Sequence, residues 1–143
     1  MNQLKNIPIW FYIAAILAIL WNALGVLAYL NMAFMSTEDF MQLPETQRTM
    51  ELAMPQWAKA AFAIAVFAGF IGSVLLALKK SIAFFALILS FVAVLVQQYN
   101  FIYLMSGFDF IDAATKGMTI SISVVAALLV WLAYFAQSKN WIK

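Results

Sequence analysis

Five polar residues lie within otherwise apolar stretches, at spacings that predict a binding pocket: Asn22, Gln97, Asn100, Tyr103 and Ser123. Asn22 and Gln97 alternate with small residues at intervals of three and four, the spacing of a helix-bundle seam. At the helical rise, both amides would lie about 20 to 22 Å from one membrane face. Amides, hydroxyls and an aromatic ring suit a neutral polyhydroxyl or zwitterionic ligand. The alternative is that the two amides hydrogen-bond each other and hold two helices together.

The chain lacks the residue types on which most catalytic sites depend. It has no Cys and no His, which excludes thiol nucleophiles, zinc sites and haem held by His. The acidic residues fall in two connecting segments, away from any nucleophile: Glu38, Asp39, Glu45, Glu51, Asp109 and Asp112. The spacing of Asp109 and Asp112 favours the N-cap and N3 positions of a helix over a cation site. We predict no enzymatic activity, no catalytic residue, no metal and no cofactor.

The composition indicates a protein that is solvated by lipid. Hydrophobic residues make up 66% of the 143 residues, charged residues 10%, and the mean hydropathy is +0.95. A soluble domain has about 25% charged residues. Four stretches are long enough to cross a bilayer and carry no ionisable side chain in their interior: about 8–35, 57–78, 82–105 and 118–136. The fold prediction is an all-α membrane protein, with residues 1–143 forming a single domain, an antiparallel bundle of four transmembrane helices.

The distribution of lysines predicts the orientation of these helices. With four spans, five lysines fall on one side: Lys5, Lys79, Lys80, Lys139 and Lys143. All acidic residues fall on the other. Because cytoplasmic loops carry the excess of Lys and Arg, both termini should be cytoplasmic. The first outer loop should contain a short amphipathic segment that begins near Pro44 and ends before Pro55.

Small residues indicate where the helices pack. Transmembrane helices associate where small residues let their backbones approach closely. The second stretch, 57–78, carries a small residue at every fourth position. The first stretch, 8–35, carries a glycine on the face that is predicted to pack against the other helices. The residues predicted to pack helices together are Ala61, Ala65, Gly69, Ser73 and Gly25.

Several short segments carry a resemblance to a known group of proteins. They are WNALG at 21–25, LPETQR at 43–48, PQW at 55–57, AIAVFAG at 63–69 and LALKK at 76–80, followed by Ser90 and Gln97. Through them the chain resembles small four-span bacterial membrane proteins that are often labelled sugar transporters. The resemblance covers most of the first three spans. It implies a bacterial inner (plasma) membrane location and a transport function, and it directs attention to Asn22 and Gln97.

Two functions remain open from the sequence. The first is binding or facilitated passage of a small neutral, sugar-like solute through a pocket in the outer half of the bundle. Because four helices are few for alternating access, this function implies a homo-oligomer. The absence of carboxylates within the spans argues against proton-coupled antiport. The second is an accessory subunit or assembly factor of a larger membrane complex. In both cases the partner is the lipid bilayer, and the net charge of +2 without a long basic run excludes nucleic acid.

Overall fold

The computed structural model describes residues 6–143, and within them the secondary structure is helical. Lys5, one of the lysines behind the predicted orientation, lies outside the described residues. The helices are α1 (Ile9–Ala33), α2 (Thr37–Gln42), α3 (Glu45–Ala53), α4 (Gln56–Ala77), α5 (Ala83–Tyr99) and α6 (Ala113–Ser138). Four of them, α1, α4, α5 and α6, are long and apolar enough to cross a membrane. The prediction of four spans in an all-helical, multi-pass membrane protein is confirmed to that extent.

The third span changes its helical geometry near its end. After Tyr99 the chain continues as a π-helix, Asn100–Leu104, in which the Met105 N–H donates to the Asn100 carbonyl over 2.9 Å. The span thus reaches almost to its predicted end at 105. However, a π-turn holds more residues than an α-turn. Side chains beyond Asn100 therefore leave the faces that a constant helical period predicts.

The fourth span starts at Ala113, five residues before the predicted start at 118. Asp112 causes the early start, because its carboxylate caps the helix by accepting a 2.9 Å hydrogen bond from the Thr115 N–H. The interpretation of Asp109 as N-cap and Asp112 as N3 is wrong. Asp109 instead ends a short 3-10 turn, Gly107–Asp109.

The long connection between the first two spans forms two short helices. α2 begins after Ser36, whose hydroxyl accepts a 3.1 Å hydrogen bond from the Asp39 N–H. α3 follows Pro44 and occupies the segment for which a short helix is predicted. An ion pair of 3.1 Å between Lys59 and Glu51 joins α3 to the beginning of α4.

The long helices pack in chain order, with the closest approach between α4 and α5. A Cβ added at Gly72 would lie 2.8 Å from Cγ of Leu87 and 3.2 Å from its backbone nitrogen. On the other side of α4, a Cβ at Gly25 would lie 3.2 Å from Val66. α6 packs mainly on α5, and the backbones of α1 and α6 hardly approach each other. The predicted packing residues of α4, Ala61, Ala65, Gly69 and Ser73, are all buried.

The residues that follow α4 and α6 meet at one end of the molecule. Lys79 (φ 61°) and Asn140 (φ 57°) adopt left-handed conformations that close these two helices. The Ser81 N–H then donates to the Lys143 carbonyl and the Lys143 N–H to the Lys79 carbonyl, both over 2.9 Å. The Trp141 ring packs against Phe11, 5.6 Å between centroids, which brings the beginning of α1 to the same end.

Most of the buried apolar core lies toward this end. Phe11 and Leu76 are fully buried there, together with Leu87, Leu132, Ala133, Ala136 and Ile142. A smaller buried cluster, Ala65, Ala93 and Val94, lies farther along the helices. The helices are therefore packed closely near the lysines, and the cavity described next lies beyond that core.

Candidate functional site

The candidate site is a cavity of about 310 Å³ that α1, α4, α5 and α6 enclose in part. Its volume is at the lower end of the range for small-molecule sites. Apolar side chains make most of the wall, among them Phe62 and Ile122. Of the described residues in the wall, Asn22, Ser90 and Gln97 carry an amide or a hydroxyl. The structure thus brings Asn22 and Gln97 to one cavity, although the wall is far more apolar than the sequence predicts.

Asn22 joins α1 to α4 at the edge of the cavity. Its Nδ2 donates to the Ala18 carbonyl over 2.9 Å and to the Ser73 hydroxyl over 3.1 Å. Ser73 in turn donates to the Gly69 carbonyl over 2.7 Å. A Cβ at Gly69 would collide with the amide oxygen of Asn22, so this glycine makes room for the side chain. Asn22 is therefore interhelical, but its partner is Ser73 rather than Gln97.

Gln97 contributes to the cavity an amide whose donor and acceptor are both available to a ligand. Its side chain is half-buried and lines the wall from α5. Within the described residues it makes no side-chain hydrogen bond. By contrast, the third polar side chain is already engaged, since the Ser90 hydroxyl donates to the Ala65 carbonyl over 2.6 Å. An amide with an unused donor and an unused acceptor in an apolar wall can orient one polar group of a ligand.

Gln98, the neighbour of Gln97, has a structural role that the sequence does not reveal. It is 8% exposed. Its Nε2 donates to the Thr119 carbonyl over 2.7 Å, and its Oε1 accepts a hydrogen bond of 2.5 Å from the Ser123 hydroxyl. These bonds join α5 to α6. Ser123, predicted to bind ligand, is therefore directed to Gln98 and does not line the cavity.

Asn100 and Tyr103, the other two predicted ligand residues, also lie outside the cavity wall. Asn100 is 1% exposed and donates from Nδ2 to the Met105 sulfur over 3.2 Å. Tyr103 is 73% exposed and packs on the Tyr99 ring, 5.5 Å between centroids. Tyr103 lies within the π-helix, which rotates it away from the face that holds Gln97. Asn100 still donates its N–H to the Val96 carbonyl as in an α-helix, and its side chain is turned to Met105 instead of the cavity. The candidate site is accordingly reduced to Asn22 and Gln97.

Among residues 6–143, no charged side chain lines the cavity. The described residues contain no group of three or more His, Cys, Asp or Glu that could hold a metal ion.

Asp112 lies at the beginning of α6, where hydrogen bonds from the Thr115 side chain and then from its backbone N–H lower the pKa of the carboxyl. This carboxylate therefore caps a helix, and a ligand in the cavity would meet only neutral groups.

A second, wholly apolar cavity of about 600 Å³ lies between α1 and α6. We call it the α1–α6 groove. It shares Trp21, Leu24, Val125 and Leu129 with the first cavity, so the two spaces adjoin.

Comparisons of the chain with models of protein families, with curated proteins and with solved structures find no match. Its function must therefore be inferred from the cavity itself.

Proposed function

We propose that this chain is a non-enzymatic membrane protein that binds a small neutral molecule in the cavity between its four long helices. The observation that carries the proposal is the amide of Gln97, which makes no side-chain hydrogen bond within the described residues and lies in a mostly apolar wall. Among the described residues no fully buried polar side-chain atom lacks a hydrogen-bond partner, so the Gln97 amide is open to the cavity and not sealed in the core. A ligand with one hydrogen-bonding group would bind this amide, and its apolar part would fill the remaining volume.

The chemistry of the wall favours an amphipathic ligand over a sugar. A sugar would exchange many hydrogen bonds to water for the few that Gln97 and the Asn22 oxygen can offer. A charged ligand would find no opposite charge. A medium-chain alcohol or amide is uncharged and gives up few hydrogen bonds to water, so it suits this wall. Passage of a sugar-like solute through a homo-oligomer, the function suggested by the resemblance, is retained as the competing proposal.

Photolabelling in lipid vesicles distinguishes these ligands, with a diazirine derivative of 1-octanol as the probe. We expect label on cavity residues such as Phe62 and Ile122. Ala126→Phe fills the cavity and should abolish that label, whereas Ala127→Phe, on the exposed side of the same helix, should retain it. Label of equal intensity in the two variants would contradict the proposal.

Uptake of labelled glucose into the same vesicles tests the competing proposal. We expect no flux above that of empty vesicles. If glucose uptake exceeded that of empty vesicles and Gln97→Leu reduced it, the result would favour a sugar-like solute over the amphipathic ligand.

The topology that we propose is an antiparallel bundle with both termini on the cytoplasmic side of a bacterial inner membrane. It is supported by Lys79, Lys80, Lys139 and Lys143, which belong to the two segments that meet beside the beginning of α1. The acidic residues belong to the connections at the other end. We call the end of the molecule that carries these four lysines the lysine end. Since Lys and Arg accumulate on the cytoplasmic side, the lysine end should face the cytoplasm. Protease protection of terminal tags in oriented vesicles measures this directly.

A second candidate function is that of an accessory subunit, which the exposed faces of α1 support. Leu20 and Leu24 are each more than half exposed, and α1 packs mainly on α4. A partner helix could cover this surface. Purification from native membranes in mild detergent tests it: a reproducible stoichiometric partner would favour the subunit, and recovery of the chain alone would exclude it.

A further inference from the structure

The α1–α6 groove runs along the membrane-facing side of the protein. Its wall extends from Trp10 to Leu24 on α1, which corresponds to about 21 Å at 1.5 Å per residue. This exceeds half of the roughly 30 Å hydrocarbon core of a bilayer. Leu17 and Leu128 in the wall are 59% and 55% exposed, so the groove is open to the surroundings of the helices. It has the length and polarity of a site for an acyl chain.

A positive charge lies at the lysine end of this groove. Trp10 and Trp131 both belong to the wall, and both pack against Phe135, with ring centroids 6.2 and 5.4 Å apart. The Lys139 Nζ lies 5.5 Å from the centroid of the same Phe135 ring. One ammonium group therefore lies close to the aromatic residues that mark one end of the groove.

In the part of the chain that the structure describes, Lys139 forms no ion pair with an acidic side chain. Lys139 shares its end of the molecule with Lys79, Lys80 and Lys143, whereas the acidic side chains belong to the connections at the other end. The ion pair found among the described residues, Lys59 with Glu51, also lies at that other end. An anion from outside the chain would thus meet an uncompensated positive field at the end of the groove.

We propose that the α1–α6 groove binds one anionic phospholipid, with an acyl chain along Leu17 and Leu128 and the phosphate beside Lys139. Trp10 and Trp131 would lie at the level of the glycerol backbone, where such rings favour the membrane interface. This lipid site adjoins the ligand cavity, with which it shares four wall residues, but it does not depend on the proposed function.

The charge distribution favours a lipid over a second copy of the chain in this groove. Copies inserted in one membrane share the same orientation, so a second copy would bring its own lysines to the same end. Like charges would then oppose the contact, whereas an anionic headgroup would neutralise them.

Native mass spectrometry measures this binding on the full chain, released from bilayers that contain equal amounts of phosphatidylglycerol and phosphatidylcholine with identical acyl chains. We expect the phosphatidylglycerol adduct to exceed the phosphatidylcholine adduct several-fold. Lys139→Gln should remove most of that preference. Lys116→Gln makes the same charge change near the beginning of α6 and should leave it intact.

A second pair of variants tests the acyl-chain part of the site. Leu17→Trp should obstruct the groove and reduce the phosphatidylglycerol adduct several-fold. Leu95→Trp places the same ring on an exposed position of α5 outside the groove, and the adduct should persist. Ala126→Leu, which occupies the ligand cavity instead, should also retain the adduct. Failure of the proposed ligand site would therefore leave this result unchanged.

Three results would overturn the lipid site. The first is equal binding of the two lipids, and the second is equal loss of preference in Lys139→Gln and Lys116→Gln. The third uses the absence of native cysteine: efficient disulfide formation between copies of Leu128→Cys, with no lipid adduct, would assign the groove to a second copy. Folding of every variant is checked by its elution as a monodisperse species in mild detergent.

Discussion

The α4–α5 interface and the α1–α6 side differ in the size of the side chains that face each other. At Gly72 the backbone of α4 approaches the backbone of α5 so closely that no side chain fits between them. Between α1 and α6, Leu17, Leu128 and Trp131 line a groove instead. Lipid supplies no hydrophobic force that would close such a gap, so association depends on close packing and hydrogen bonds. Small residues therefore decide which pairs of helices close and which leave space for a ligand.

The largest effect is expected from a methyl group at the closed interface. Gly72→Ala places a Cβ 2.8 Å from Leu87 Cγ, so the helices must move apart, at a cost of about 1–3 kcal/mol in the free energy of unfolding. At Gly117 an added Cβ meets nothing within 4 Å. Gly117→Ala should therefore be neutral or stabilising by up to about 1 kcal/mol through helix propensity. Unfolding with SDS in mixed micelles, followed by tryptophan fluorescence, measures both. Equal effects of the two variants would contradict the close approach of α4 and α5.

A smaller effect should separate two neighbouring amides on α5. Gln98→Leu removes the bonds to Thr119 and Ser123 and should destabilise the protein by about 1 kcal/mol. Gln97→Leu removes no hydrogen bond within the described residues, and its free energy of unfolding should stay close to that of the original chain. The same SDS titration applies. If Gln97→Leu were the more destabilising change, the two roles would be reversed.

Filling the open space should stabilise the protein slightly. Ala126 lines the ligand cavity, so Ala126→Leu should add about 0.5–1 kcal/mol by occupying part of the empty volume. Ala127→Leu on the exposed side of α6 should change the free energy of unfolding less. Thermal unfolding in detergent compares the two. Destabilisation by Ala126→Leu alone would indicate that the cavity is absent in solution.

The smallest effect concerns the cap of α6. The pKa of Asp112 is lowered in the folded chain from its ordinary value of 3.8. Its stabilising contribution is therefore complete above that value and is lost as the pH falls through the lower, folded-state pKa. Asp112→Asn should flatten this part of the pH profile, measured by thermal unfolding between neutral and acidic pH. An unchanged profile would show that another group causes the acid sensitivity.

The parts of the fold that depend on local composition could be predicted from the sequence. Hydropathy alone locates the four spans, and the small-residue spacing of α4 marks residues that are buried in the structure. The candidate site was harder to predict from the sequence, because it depends on which helices are neighbours and on one change of helical geometry. The π-helix at Asn100–Leu104 moves Tyr103 off the predicted face. Gln98 gains its role only because α6 packs beside α5.

The central claim, that Gln97 faces an accessible cavity while Gln98 is engaged with α6, can be tested by one labelling rate. Because the chain has no native cysteine, Gln97→Cys and Gln98→Cys each carry a single reactive thiol. The reagent is methyl methanethiosulfonate, which is small and neutral, applied to protein in lipid vesicles. We predict that the thiol at position 97 reacts several-fold faster than the thiol at position 98. Equal rates, or faster reaction at position 98, would contradict the account.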